Sequence, residues 1–343
     1  MFKKFVLASA AVAAIGAGQA TAADLKIAHF VTPKHSVSQW IANWSKKIEA
    51  GTAGEVKFTI FPGGQLGPPP KYYDLARRGQ ADITWLVHGF TPGRFPLSEI
   101  SNLPYMVASA EVGAKVLNDP TLKSKYLAPE HKGVQPLLLM THQPGNIHTA
   151  KKAIRSVDDV KGMRLRFASA TIKEFVAALG GTPVGMPPTQ IVDNMQKGSI
   201  DGAWTDYGGA GIAFGMGPVT KYTTEMYSYV ASFCICMNKK SYDGLSAGAR
   251  AKVDQSFVGV EKEVGHEWDK LDPIGKGIMM KAGMTPVRLS KEEDAKFRAI
   301  GAKVAEAKIA ELEKKGLPAR AVYNMMKELA AKHEKTSRSF WTQ

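Results

Sequence analysis

"PPTQIVDNMQKGSIDGAW", residues 187–204, repeats in outline an earlier stretch, "PPPKYYDLARRGQADITW", residues 68–85. Both open on Pro-Pro, and Asp74, Gly79, Asp82 and Trp85 hold the offsets of Asp193, Gly198, Asp201 and Trp204. In each, proline opens a helix, glycine stops it, and a short apolar strand runs to the tryptophan. The flanking sequence extends the likeness. "LKIAHF" (25–30) reads as a strand. "SVSQWIANWSKKIEAGT" carries apolar residues at helical spacing up to Gly51 and Gly54, and "EVKFTIFP" alternates as a second strand. In the second half "MRLRFA" (163–168), "ATIKEFVAALGG", "TPVGM", "TQIVDNMQKG" and "SIDGAWT" give the same order. Two β-α-β-α-β units with short connections predict two α/β lobes, each an open sheet with parallel strands and flanking helices. Such sheets bind ligands outside the carboxyl ends of their strands. Trp85 and Trp204 are therefore candidates to face one shared cleft, with core packing as the other reading of both.

The chain has 343 residues, and its first residues concern export. Lys3 and Lys4, an apolar run from Phe5 to Ala17, and Ala20-Thr21-Ala22 have the form of a secretory signal peptide over 1–23, cleaved near Ala22 or Ala23. The run is short for a bilayer span. The roughly 320 residues that follow suit two lobes. The formal charge is +14, two of it from Lys3 and Lys4. Strong basicity can serve nucleic acid, an anionic surface or an anionic ligand. No basic tail or arginine-aromatic platform accompanies it, so nucleic acid is not expected, and much of the lysine lies in the helical C-terminal part. Cys234 and Cys236 in "SFCICMN" share one strand face and are expected as two small core residues, too close in sequence for an easy disulfide.

"YSYVASFCICMNKKSYDGL" (227–245) predicts a later strand crossing back to the first lobe, and residues 244–272 one long amphipathic helix. Residues 291–335 read as helical, interrupted at Gly316-Leu317-Pro318, which favours packing across the lobes over a coiled coil.

"FPGGQLG" (61–67) followed by a helix and "GQADITW" (79–85), "SVDDVKGMRLRFASATIKEFVAALGGTPVGMPPTQIVDNMQKGSIDGAW" (156–204) and "MNKKSYDGLS" (237–246) together resemble the solute-binding proteins of TRAP transporters, the DctP family. The resemblance runs over nearly the whole chain after the signal segment. It implies a two-lobed periplasmic receptor of the Venus-flytrap kind, each lobe a mostly parallel sheet with flanking helices, and long helices bridging the lobes. The division it suggests is 24–143 plus 232–271 for the first lobe and 144–231 plus 272–343 for the second, with the C-terminal helices bridging. It also implies a monomer without cofactor or metal that captures an organic anion and delivers it to membrane permease subunits.

The family's ligand-anchoring arginine falls on Arg166 of "KGMRLRF". A planar guanidinium matches a carboxylate with two parallel hydrogen bonds. Alternation also places Arg164 and Arg166 on one strand face, so Arg164 is the alternative. Two departures stand out. Residues 201–207 carry Trp204, Thr205 and Tyr207 where many members have an asparagine. "THQPGNIHT" offers His142, Asn146 and His148 where many have a second arginine. With one firm cation and the aromatics Phe30, Trp85, Trp204, Tyr207 and Phe233, plus His88 and Asn146, the expected ligand is a monocarboxylate with an apolar or aromatic body. Neither G-x-S-x-G, H-E-x-x-H nor a Cys/His metal cluster occurs, so an exported enzyme is the weaker alternative, beside a sensor module that presents its closed form to a membrane receptor.

Overall fold

The structure, a computed structural model, describes residues 23–342. The expected signal segment lies outside the described residues except for Ala23, which opens the first strand. The described residues form eleven strands: β1 (Ala23–Ala28), β2 (Val56–Phe61), β3 (Ile83–Val87), β4 (Val134–Thr141), β5 (Gly145–Thr149), β6 (Arg164–Phe167), β7 (Thr182–Gly185), β8 (Gly202–Thr205), β9 (Tyr222–Tyr229), β10 (Ser232–Asn238) and β11 (Thr285–Arg288). They make two sheets, ordered β2-β1-β3-β10-β4 and β11-β9-β5-β8-β6-β7. The repeated unit is visible in that order. β2-β1-β3 and β7-β6-β8 are parallel ribbons of identical topology, and β10 and β5 add antiparallel to β3 and β8. No helix of the described residues is long and apolar enough to cross a membrane.

The aspartates of the twin phrase have the same task in both sheets. Asp82 N donates to Lys26 O and Asp201 N to Arg164 O. Their carboxylates each accept a return bond at 2.8 Å, from Lys26 N and from Arg164 N. Their carbonyls each accept from the next strand or its flank, from Asn238 N and Ala150 N. Gly79 and Gly198 adopt φ of +70° and +68°, the left-handed conformation that ends each preceding helix without a Cβ penalty.

The chain crosses between sheets at residues 142–144, between β4 and β5, and at 230–231, between β9 and β10. The segment 227–245, expected as one strand, thus holds the end of β9 in one sheet and the whole of β10 in the other. Helix Lys291–Lys314 is the third link: Phe297 and Val304 pack in the second lobe's core, while Ala305, Ile309 and Leu312 pack in the first. Helix Ala319–Glu334 continues on the first lobe, with Val322, Met326 and Ala330 in the same cluster as Val112 and Val116.

Two expectations need correction. The single helix over 244–272 is two, Ala247–Ser256 and Glu261–Asp269, because Gly259 turns the chain with φ +77°. Cys234 and Cys236 are bonded to each other. Two residues of an extended strand advance about 6.6 Å. A register shift between Ile235 and Cys236 against β4 brings these Cα atoms to 5.5 Å, within the ordinary disulfide range. His131 lies beside them, but both its nitrogens are engaged, Nδ1 with Leu127 O and Nε2 with His88 Nε2.

Candidate functional site

Between the sheets, where the carboxyl ends of β1, β3, β6 and β8 converge, lies a cleft with about 550 Å³ of non-atom space, part of it open to solvent. The first lobe supplies an apolar wall: Phe30 and Val31 after β1, Phe90 after β3, Phe233 on β10, and Trp268 from helix Glu261–Asp269. Phe233 and Trp268 stack with centroids 5.2 Å apart. The second lobe supplies the charge: Arg166 on β6, Thr205 and Asp206 at the end of β8, and Tyr229 at the end of β9.

Arg166 is 2% exposed. Its Nε donates to Met186 O at 3.2 Å and its Nη1 to Trp204 O at 3.3 Å, so backbone carbonyls fix the plane of the guanidinium. Among the described residues no carboxylate pairs with it, and its side-chain hydrogen bonds are those of Nε and Nη1. Burial pushes its pKa down, and the nearby Tyr229 offsets this only in part. A buried guanidinium without a counter-ion is costly and is relieved when an anion enters. Arg164, on the same strand face, is spent on Asp201 at 2.8 Å and half exposed.

Three further polar groups line the cleft. His35 caps helix Ser36–Gly51: its Nδ1 accepts from Val37 N, so the ring proton sits on Nε2. Burial, then the nearby His29, lowers its pKa to about 4, which keeps it a neutral donor. His142, in the first crossing segment, accepts from Ala231 N of the second with Nε2 at 2.9 Å, and its Nδ1 faces Gln143 O. Burial lowers its pKa despite Asp206, so it ties the two crossings together as a neutral ring. Asp206 is buried; its Oδ2 accepts from Gln143 Nε2 at 2.8 Å and from Gly209 N at 2.7 Å.

The glycine-rich stretch 206–217 closes the floor. Gly209, Ala213 and Phe214 face the cavity. Behind them the chain lies so close to helix Leu271–Lys281 that a Cβ on Gly275 would meet Tyr207 O at 2.0 Å. The glycines serve close packing of backbone on helix.

Of the eight residues expected to contact ligand, Arg166, Phe30 and Phe233 are brought together in the cleft wall, and His142 and Thr205, noted beside them in sequence, line it as well. The other five of the eight are not in that wall. Trp85 is fully buried one layer behind it, 5.1 Å from Phe30 and 5.8 Å from Phe233. Trp204 is fully buried against Phe175 with Nε1 on Ser228 Oγ at 3.0 Å; it serves the cleft through its carbonyl, which holds Arg166 and Tyr229. Tyr207 donates to Glu225 in the core below. His88 bonds Ser232 and His131 inside the first lobe. Asn146 Oδ1 accepts from Met226 N and Tyr227 N, bracing a bulge in β9. Sequence reading passed over His35, Phe90, Asp206, Phe214, Tyr229 and Trp268. The signal available for His35, Phe90 and Asp206 was position: each lies within a few residues of the carboxyl end of a predicted parallel strand.

Comparison with known proteins agrees with this architecture. A TRAP solute binding protein from a marine metagenome, specific for aromatic acid ligands and solved with metahydroxyphenylacetate, is 32% identical, with a TM-score of 0.85 over 91% of this chain and 99% of that one. A TRAP solute binding protein from Rhodoferax ferrireducens T118, solved with copurified benzoate, is 29% identical, with a TM-score of 0.86 over 92% and 99%. A solute-binding protein of Albidiferax ferrireducens is 26% identical over 77% of this chain and 79% of its own. Residues 27–312 match the family of bacterial extracellular solute-binding proteins, family 7, and the chain belongs to that DctP family.

Proposed function

We propose that this protein is the extracytoplasmic receptor of a TRAP-type transporter, and that it captures an aryl monocarboxylate between its lobes for delivery to the membrane permease. The observation that carries the reading is Arg166: a buried guanidinium with no counter-ion among the described residues, facing a cavity whose opposite wall is Phe30, Phe90, Phe233 and Trp268. One cation and an aromatic wall suit one carboxylate and one apolar body. The two similar structures named above hold benzoate and metahydroxyphenylacetate, which supports the same class here. Arg166, Phe30 and Phe233 contact the ligand directly. Trp85, Trp204, Tyr207, His88 and Asn146 position that wall or pack the lobes. The protein acts in the periplasm as a monomer after its signal segment is removed, and it returns its ligand unchanged.

Calorimetric titration of ligand-free protein tests the reading. Benzoate, phenylacetate and their ring-substituted relatives should bind; succinate, whose second carboxylate lacks a second cation, and glucuronate, whose hydroxyls would meet an aromatic wall, should bind far more weakly. Preference for the dicarboxylate would overturn the ligand class. Mass analysis after prolonged incubation should recover the acid intact; a product that needs the folded protein would place the chain among enzymes.

A further inference from the structure

Asp206 is an unexpected group to find in the wall of a site that receives an anion. Its two oxygens are not equivalent. Oδ2 is held by Gln143 Nε2 and Gly209 N. Among the described residues Oδ1 has no such donor: His142 Nδ1 stands 3.8 Å away and already faces Gln143 O, while His142 Nε2 accepts from Ala231 N. The one ring proton is therefore on Nδ1 and is spent on Gln143 O. Oδ1 is left as the unmatched acceptor of a cleft-lining residue that is 5% exposed. A carboxylate so placed repels an incoming carboxylate unless something donates to it, and an acceptor left unmatched in a closed site costs affinity. Both costs disappear for a ligand that brings its own O–H.

We propose that Asp206 is a specificity-determining residue that selects hydroxylated aryl acids: the ligand's carboxylate lies on Arg166 and its hydroxyl donates to Asp206 Oδ1. This rests on the reading of the cleft as an aryl-acid site. The hydroxyl is either on the ring or α to the carboxylate, since both place an O–H apart from the carboxylate, and Arg166 and Asp206 line the same cleft from the same lobe. Sequence supports the placement, because Asp206 follows β8 directly and Arg166 is on the neighbouring parallel strand β6.

Matched ligand pairs decide it. Phenylacetate against 3-hydroxyphenylacetate isolates a ring hydroxyl, and phenylacetate against mandelate an α-hydroxyl. In the parent protein the hydroxylated member of at least one pair should bind about tenfold tighter or more. In Asp206→Asn the side-chain carbonyl should keep the bonds from Gln143 and Gly209. That turns the amide NH2 to where Oδ1 stood, a donor in place of an acceptor, and the ratio should fall toward one. Asp206→Ser gives the same reading should the asparagine variant fold poorly. A ratio near one in the parent for both pairs overturns the proposal, as does a preference that survives both substitutions. If the parent binds both members of each pair equally and Arg166→Ala binds neither, the aryl-acid reading stands and only the role of Asp206 falls. If no aryl acid binds the parent, both fall.

Discussion

The two lobes are built from one phrase, yet they bring opposite chemistry to the cleft. Asp82 and Asp201 make the same three bonds, and Gly79 and Gly198 turn the chain at nearly the same φ. Trp85 and Trp204 are equally buried. The divergence begins at those tryptophans. Nε1 of Trp85 has no hydrogen-bond partner among the described residues, and its indole serves as backing for Phe30, Phe233 and Trp268. Trp204 is fully bonded, and its carbonyl fixes Arg166. The repeat is thus a scaffold that sets where strand ends meet, and the residues just beyond those ends line the cleft. The first lobe contributes an aromatic wall, the second a cation fixed by backbone carbonyls.

The strongest way to break this comparison is to remove the dominant element from each side. Arg166→Ala should weaken binding of benzoate or its relatives by about 2–5 kcal/mol, because a desolvated charge pair loses one member. Arg166→Lys should recover little, since the fork is lost. Phe233→Ala on the opposite wall should cost only about 1–2 kcal/mol, the value of one partly covered aromatic face. Benzamide sharpens the contrast: the parent should discriminate strongly against it, Phe233→Ala should keep that discrimination, and Arg166→Ala should lose it. Calorimetry showing equal losses in the two variants would mean that the division of labour between lobes is wrong.

Acid offers a second contrast. His131 in the first lobe and His148 in the second are both neutral and buried, with pKa lowered to about 4 chiefly by burial. The unfolded chain takes these protons first, so each ring costs stability as pH falls from 6.5 toward 4, about 2 kcal/mol by pH 5. Glu99 and Glu130, raised to about 7 mainly by burial, act oppositely in the first lobe: they gain stability as pH falls from 7 toward 4.5. Urea midpoints at pH 7 and 5 should therefore drop less in His131→Gln and His148→Gln than in the parent. An unchanged pH dependence in both would show that these rings are not the acid-sensitive elements.

Much of this was legible in sequence because it is local. Hydrophobic periodicity, proline starts and glycine stops gave both β-α-β-α-β units, and alternation put Arg166 on the face opposite Leu165. What escaped depends on pairing between distant segments. The crossing segments acquire meaning only when His142 bonds Ala231, 89 residues away in sequence. Trp268 reads as one apolar position of an amphipathic helix, and only the tertiary fold turns it into the cleft. The Cys234–Cys236 bond needs a bulge that is created by the register against β4. The tryptophans were the most visible feature of the repeat, and their side chains went to packing because a large ring at a strand's end on the inner face fills the layer between sheet and helix.

The indoles themselves allow a finer test on stability. Trp204→Phe removes a buried hydrogen bond and leaves Ser228 Oγ without its donor, whereas Trp85→Phe removes a donor that had no partner. Loss of ring volume is common to both. Denaturant midpoints should place Trp204→Phe below Trp85→Phe by about 1 kcal/mol. The reverse order would argue that packing around the first-lobe wall dominates. Ligand affinity should report the lobes differently as well, through Arg166 orientation in one variant and through the backing of Phe30 and Phe233 in the other.

The smallest effect expected is a difference that should be absent. Asp82→Ala and Asp201→Ala each delete the acceptor of a backbone N–H in the neighbouring strand, at the same distance and in the same topological place. The surrounding partners differ: Asp82 also accepts from Ser241 Oγ at 2.6 Å, and Asp201 also pairs with Arg164. The Arg164 pair is well exposed on both sides, so water screens most of its attraction. What remains is a shared backbone bond and one side-chain partner each, on the order of 1 kcal/mol per substitution. The two variants should therefore lose the same stability within about 0.5 kcal/mol, measured by urea unfolding at 0.15 M salt. A second measurement at 1 M salt separates the terms. If Asp201→Ala costs clearly more at low salt and the excess vanishes at high salt, the ion pair contributes more than its exposure suggests. If the excess persists in salt, the two aspartates are not equivalent, and the repeat has diverged in its scaffold as well as in its cleft.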